Sequence, residues 1–348
     1  MSYLLNRICW SARASIRLGA LWAAPLLAFL LVCTVSRTHA EWVSDEQAIM
    51  GTRVNVTLWY KDAARARQLS AQVMTEMRRI DATYSPYQDS SDLSQMNRAA
   101  AKRHAADPLP ISPEMSRLLD KSLYYGRLTD GAFDITYASL ARYYDYRAGK
   151  QPSDAQREQL LPAIDYHHVK LDNVAHTVYY SQPQVYVDLG GIAKGYAVDR
   201  AIELLRSAGV QHASVSAGGD SRVLGDRRGR PWMVGIKQPR GAEGVAITVP
   251  LTDSAISTSG DYERYFIGAE GEWIHHIINP RTGKSSGELA SVSIIGPDGF
   301  DTDALSTSVF VLGADKGLAL INQLPAFDAI LITRAGKVRY SNGLTAPE

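Results

Sequence analysis

Val187-Asp188-Leu189-Gly190-Gly191-Ile192-Ala193-Lys194-Gly195-Tyr196 is the stretch on which the reading of this 348-residue chain turns. Gln184 to Asp188 reads as a short strand ending in an acid, and two glycines then bring the backbone close. A helix follows from about Ala193 to Ala208, with Lys194 in its first turn. Ala197, Ala201, Leu204, Leu205 and Ala208 share one face of it, and Gly209 closes it. Free amides at the positive end of a helix suit a phosphate, and Lys194 adds a full charge. The spacing fits neither the dinucleotide fingerprint nor a P-loop. A tight turn with a solvated Lys therefore stays open as the plainer reading.

Working outward, Val54 to Trp59 reads as a strand, and Leu69, Val73, Met77 and Ile80 place a helix over about Asp62 to Ile80. Ser85 to Asp92 is polar and reads as a loop. Ser112-Pro113-Glu114 opens a further helix that turns Met115, Leu118, Leu119 and Leu123 inward and stops near Thr129-Asp130-Gly131. His168 to Leu171 and Thr177 to Tyr180 form a hairpin. Strands are expected at 213–216, 233–236, 245–251, 275–278, 291–295 and 329–332, and helices from Asp303 to Leu312 and Asp315 to Ile321. Strands and helices interleave without a strict βαβ beat, so the fold class is α+β, mixed sheets with packed helices.

Four further segments carry chemistry. With a helix opening near Asp303, Asp303 and Thr307 lie one turn apart on the same face. A carboxylate and a hydroxyl so placed could share a hard cation such as Mg²⁺; an acidic N-cap is the plainer alternative. In His275-His276-Ile277-Ile278-Asn279-Pro280, alternation sends the two histidines to opposite faces, which argues against paired zinc ligands. Thr129 to Thr136, with Phe133 and Asp134, and Asp81 to Ser85, with Tyr84, each set an aromatic beside polar turn residues. Either could pack a planar ring or belong to the core. Gly218-Gly219-Asp220 reads as a turn.

Composition bounds the function. Apolar residues make up 45% and charged residues 21%, as in soluble globular proteins, which excludes a disordered or polytopic membrane chain. Lys+Arg number 37 against 36 Asp+Glu, so no basic domain points to nucleic acid. Residues 1–40 hold four Arg and no acid around an uncharged run from Leu18 to Val35, ending in Thr38-His39-Ala40. This is the layout of a cleaved signal peptide, with a retained membrane anchor as the alternative and a lipoprotein at Cys33 as a weaker one. Export to a periplasm is expected, with residues 41–348 as one functional domain. Without the leader the chain carries 33 basic and 36 acidic residues, net −3, and neither cysteine, since both are Cys9 and Cys33. Disulfides and thiol chemistry are thereby excluded from the mature chain. Any metal there must be held by oxygen or imidazole.

Taken in order, five of these segments resemble the ApbE-like FAD:protein FMN transferases. They are Thr129-Asp-Gly-Ala-Phe-Asp134, Asp188-Leu-Gly-Gly-Ile-Ala-Lys-Gly195, Ala217-Gly-Gly-Asp220, His276-Ile-Ile-Asn-Pro-Arg-Thr-Gly283 and Asp303-Ala-Leu-Ser-Thr307. The resemblance runs from about Met50 to Gly313. It implies a single large domain related to the T-fold. It also implies a Mg²⁺-dependent reaction, with Mn²⁺ as a possible substitute, in which FAD is the substrate. The FMN half moves to a Thr or Ser hydroxyl of a target protein, and AMP leaves. The implied acceptors are membrane redox-pump subunits on the exported side, which allows association with the inner membrane. By the same resemblance Asp303 and Thr307 are metal ligands, with the Gly191 carbonyl completing the site. Met50, Tyr84, Ala132, Phe133, Asp134, Asp188, Lys194, His276 and Ile277 match flavin-nucleotide contacts. His276 is the candidate base for the acceptor hydroxyl. Asn279 stands where the family commonly has Asp. An FAD pyrophosphatase and a non-catalytic flavin-binding protein are the competing functions.

Overall fold

Nine-residue alternation in Thr52–Tyr60 buries Val54, Val56 and Leu58 completely, and this strand (β2) anchors the main sheet. The computed structural model describes residues 41–241 and 244–344; the expected signal segment lies outside them. β2 pairs with an edge strand, β1 (Glu41–Ile49), across a short turn. The sheet continues through β6 (His212–Ala217), β7 (Asp220–Leu224), β10 (Ala255–Gly260), β13 (Leu289–Gly296), β14 (Asp328–Thr333) and β15 (Val338–Tyr340). Its order is β1-β2-β6-β7-β10-β13-β14-β15, and every neighbouring pair is antiparallel. Helices interleave with these strands, so the α+β expectation holds.

Three long helices, over Ala63–Tyr84, Ala193–Ser207 and Gly299–Leu312, pack on the main sheet. α1 (Ala63–Tyr84) begins at the N-cap Asp62, whose carboxylate accepts from Arg65 N, and buries Leu69, Val73, Met77 and Ile80. α2 (Asp92–Ala100) follows the polar loop, and α3 (Pro113–Leu128) is capped by Ser112. α4 (Ala138–Ala141) and α5 (Asp154–Leu160) are short. α6 (Ala193–Ser207) and α7 (Gly299–Leu312) cross one another, and α8 (Ala314–Ile321) ends the helical set. A ribbon of β8 (Trp232–Lys237) and β9 (Val245–Leu251) covers part of the opposite face with a second, smaller core around Trp232, Ile236 and Ile330. β3 (Leu109–Pro110), β4 (Val169–Asp172) and β5 (Thr177–Tyr180) make a separate small sheet, which includes the expected hairpin. β11 (Tyr265–Ile267) pairs with β12 (Trp273–His275). Among the described residues no helix is long and apolar enough to cross a membrane.

Three expectations change. Gln184 to Asp188 is extended but forms no strand. Its polar backbone atoms are met by side chains instead: Val187 N donates to Asn97 Oδ1 at 2.9 Å, and Asn97 Nδ2 donates to Val187 O at 2.8 Å. Asn97 thus does the work of a neighbouring strand, which satisfies the buried peptide group. The strand expected over 275–278 stops at His275, after which only an isolated bridge joins Ile278 to Ser285. The helix expected from Asp303 starts one turn earlier, because Asp298 is its cap and accepts from Asp301 N. Asp303 is therefore inside the helix and is not its N-cap.

Candidate active site at the crossing of two helices

The crossing of α6 and α7 is unusually close because both helices present glycine there. A Cβ on Gly195 would sit 1.9 Å from Gly299 O and 2.6 Å from Asp303 Cβ. With no side chain in the way, Gly195 N donates to Asp303 Oδ2 at 2.9 Å. Lys194, one residue earlier, places Nζ 3.1 Å from Asp220 Oδ2, 3.6 Å from Asp303 Oδ2 and 3.1 Å from Gly190 O. Asp220 comes from the first position of β7, just after the Gly218-Gly219 turn. Gly219 is needed there because a Cβ would meet Thr258 O at 2.4 Å.

Thr307 lies one turn beyond Asp303 and faces the same space. A Cβ on Gly191 would meet Thr307 Oγ1 at 3.2 Å and Phe133 Cε2 at 3.3 Å. The Gly191 backbone is therefore seated between a hydroxyl and an aromatic edge. Beneath them Ser259 Oγ lies 2.8 Å from Ser306 Oγ and 3.3 Å from Thr307 Oγ1, and Ser257 Oγ lies 2.9 Å from Thr302 Oγ1. Strand β10 thus presents hydroxyls to the helix where most strands present aliphatic groups.

The charges do not balance. Asp220 and Asp303 are both buried and share the one ammonium of Lys194. Burial and the Asp220 carboxylate push Asp303 up to about 7, against the pull of Lys194 and the Gly195 amide. Burial opposes the Lys194 charge as well, yet Asp220 and Asp303 outweigh it and hold the ammonium above its ordinary value. The surplus negative charge lies among oxygen donors, a carboxylate, a hydroxyl and peptide carbonyls. That donor set fits a hard divalent cation such as Mg²⁺ or Mn²⁺. Among the described residues no cluster of three His, Cys, Asp or Glu side chains offers a different metal site.

Asp188 lies at the near edge. Its buried carboxylate accepts from Gly190 N at 2.6 Å. Burial raises it, while Gly190, the Tyr137 hydroxyl and the charges of Arg264 and Lys194 pull the other way. The two histidines separate as the alternation implies. His275 is fully buried and donates from Nε2 to Ser286 O at 2.7 Å while Nδ1 accepts from Ile277 N, so it pins the turn. His276 turns the other way, and its Nδ1 is buried without a partner. Burial, His275, Arg264 and Lys194 push it down to about 3, so its ring is neutral.

Of the residues singled out in the sequence, Phe133, Asp188, Gly191, Lys194, Asp303 and Thr307 converge here, with His276 within electrostatic reach of Lys194. Ala132 is buried beside Phe133. Met50 forms the β1–β2 turn at φ 56°. Others are placed elsewhere. Tyr84 is buried edge-on to Tyr196, 6.3 Å between ring centres. Asp134 accepts from Thr136 N, Thr136 Oγ1 and Tyr166 N and so organises its own turn. Ile277 belongs to the main core. The sequence reading did not single out Ser259 or Asn97, and it took Asp220 as part of a turn. Gly-Gly-Asp directly after a strand was the available signal for Asp220; nothing local marks the other two.

Comparisons with known proteins identify the family and the fold. Residues 50–331 match the ApbE family. The FAD:protein FMN transferase of Treponema pallidum is 31% identical over 328 residues, covering 88% of this chain and 89% of that protein. The Escherichia coli K12 protein of the same name is 30% identical, covering 86% and 87%. Among solved structures, the ApbE protein of Thermotoga maritima superposes with a TM-score of 0.79 at 31% identity, covering 87% of this chain and 98% of that one. The flavin transferase ApbE of Vibrio cholerae gives 0.75 at 26% identity, covering 87% and 98%. With a family match over most of its length and relatives above 30% identity, this chain belongs to the ApbE family.

Proposed function

We propose that the protein is an FAD:protein FMN transferase, acting on a Thr or Ser hydroxyl of an exported acceptor protein and releasing AMP. The observation that carries the reading is the buried Asp220–Lys194–Asp303 cluster, with Thr307 and Gly191 at its open side. Asp303, Thr307 and the Gly191 carbonyl would hold Mg²⁺. When bound, the ion supplies positive charge against the oxygens of the FAD diphosphate.

The chain's own groups account for the rest. Lys194 offers a fixed ammonium to the same phosphate oxygens, held in place by Asp220 and the Gly190 carbonyl. Phe133 and Gly191 close the wall behind the phosphates and exclude water from that side. The acceptor oxygen forms a bond to the FMN phosphorus while the bond from that phosphorus to the oxygen bridging to AMP breaks. AMP leaves with the bridging oxygen and takes up a proton overall. The hydroxyl proton passes to Nδ1 of His276, which is neutral and free to accept. Burial is the main cause that holds His276 down, with His275, Arg264 and Lys194 adding to it, so the ring reaches the reaction neutral.

An exported location follows from the leader-like residues 1–40, and a membrane redox-pump subunit is the acceptor the family resemblance implies. The test uses the chain from Glu41 with FAD, Mg²⁺ and a fragment of such a subunit. Mass spectrometry of the fragment is expected to show a gain of FMN minus water, absent with EDTA. Free FMN and AMP with no adduct on any acceptor would instead support the pyrophosphatase. Intact FAD would leave flavin binding alone.

A further inference from the structure

We propose that Arg264 is a second diphosphate-binding cation of this site, held at its mouth by Tyr87 until the dinucleotide enters. The inference rests on the flavin-transfer reading above and gives Arg264 a direct binding role in it.

Arg264 immediately precedes β11, and its carbonyl accepts from His276 N at 3.1 Å, so the two residues sit side by side on the hairpin. Its guanidinium reaches across the mouth, where Nη1 donates to Tyr87 Oη at 3.3 Å. Nη2 approaches the β1–β2 turn, 3.5 Å from where a Gly51 Cβ would stand. That one long hydrogen bond goes to a neutral phenol. Among the described residues Arg264 pairs with no carboxylate, whereas Arg240 close by in the fold is bidentate to Asp261. A guanidinium has five donors in a planar fork suited to phosphate oxygens, and here the fork is left open.

Its charge is directed into the same space as that of Lys194. Arg264 helps hold down Asp188 and adds to the causes that push down His276, groups on two different segments. Two of the buried polar atoms without a partner among the described residues lie on residues that feel Arg264. Tyr146 Oη and His276 Nδ1 are buried with no partner, and the Tyr146 hydroxyl feels both Tyr87 and Arg264. Three buried carboxylates, Asp188, Asp220 and Asp303, lie around the single, partly exposed ammonium of Lys194. A substrate diphosphate brings two further negative charges. A hard divalent ion and Lys194 leave that sum negative; a cation from the rim reduces the remaining excess. The 78% exposure of Tyr87 leaves its ring free to swing aside when Arg264 turns inward.

The experiment compares two ligands that share a ring system, only one of which carries the diphosphate and its adenosine. FAD and riboflavin are titrated, by flavin fluorescence, into wild type, Arg264→Gln, Arg264→Lys and Tyr87→Phe without acceptor. Arg264→Gln is expected to weaken FAD binding about 30-fold, the scale of lost charge-assisted hydrogen bonds. Riboflavin affinity is expected to stay unchanged, which also shows the variant folded. Arg264→Lys should recover part of the loss, and Tyr87→Phe should bind FAD at least as well as wild type. Equal weakening of both ligands would overturn the assignment by placing Arg264 against the ring or in the wall. Unchanged FAD binding in Arg264→Gln would also overturn it. Wild type that binds neither ligand would overturn the flavin-transfer reading and this assignment with it.

Discussion

Gly195 N donates to Asp303 Oδ2 across the crossing of α6 and α7, at 2.9 Å. One hydrogen bond therefore fixes the carboxylate at the centre of the site and joins the two helices that carry it. The contact exists because Gly195 has no side chain. Gly195→Ala would force Cβ into Gly299 O, a backbone atom that cannot rotate away. The helices must part, at a cost of about 3 kcal/mol by analogy with overpacked cores. Urea denaturation is expected to show that loss, and transfer activity should fall with it. A variant of wild-type stability would mean that the crossing is looser than described.

Asn97 stands in for a missing strand, and the consequence is measurable. It exchanges two hydrogen bonds with Val187 and accepts a third from Tyr180 Oη at 2.8 Å. Asn97→Leu keeps the branched shape but strands the Val187 amide and carbonyl in the core, for about 3 kcal/mol. Asp188, next in the chain, loses its anchor. The expected result is lower thermal stability together with weaker FAD binding. A cost below about 1 kcal/mol would show that water or a shifted strand replaces the side chain.

Glu114 makes the fold acid-sensitive away from the site. Burial opposes its charge, yet hydrogen bonds from Arg79 and Tyr196 prevail and hold the carboxyl at about 2, below its ordinary 4.5. A lowered carboxylate stabilises the fold above its unfolded value, and that contribution is lost as pH falls from about 4.5 to about 2. Partial exposure and solvent screening reduce it to about 1 kcal/mol. Glu114→Gln should therefore be less stable than wild type at pH 7, with the gap closing below pH 4. A gap that persists unchanged to pH 2 would assign the effect to packing.

How much of this was legible in the sequence depended on how far each signal reaches along the chain. α1, α3 and α6 announce themselves by apolar periodicity and caps within one window, and their caps are where Asp62, Ser112 and Gly209 imply. β1 was missed because an edge strand reading Glu-Trp-Val-Ser-Asp-Glu-Gln-Ala-Ile lacks a buried face. β10 was missed for the opposite reason. It is mostly buried, but Ser257 and Ser259 meet hydroxyls of α7, so its pattern is that of a loop. The pairing of Asp303 with Thr307 is local and could be read. The approach of Asp220 and Lys194 to Asp303 depends on three segments meeting, and no spacing within any one of them encodes it. The motif order, matched as a family resemblance, supplied what periodicity could not.

The central claim is that Asp303 holds the cation on which FMN transfer depends. Its direct test is the rate of AMP release from FAD with acceptor present, across a Mg²⁺ titration, for wild type and Asp303→Asn. The Asn keeps the size of the side chain and an oxygen for the Gly195 amide, so the fold should persist and can be checked by thermal unfolding. Wild type should saturate with Mg²⁺ and stop in EDTA, while Asp303→Asn should lose about 100-fold or more at every Mg²⁺ concentration. A folded Asp303→Asn protein with the wild-type rate and Mg²⁺ dependence would contradict the account.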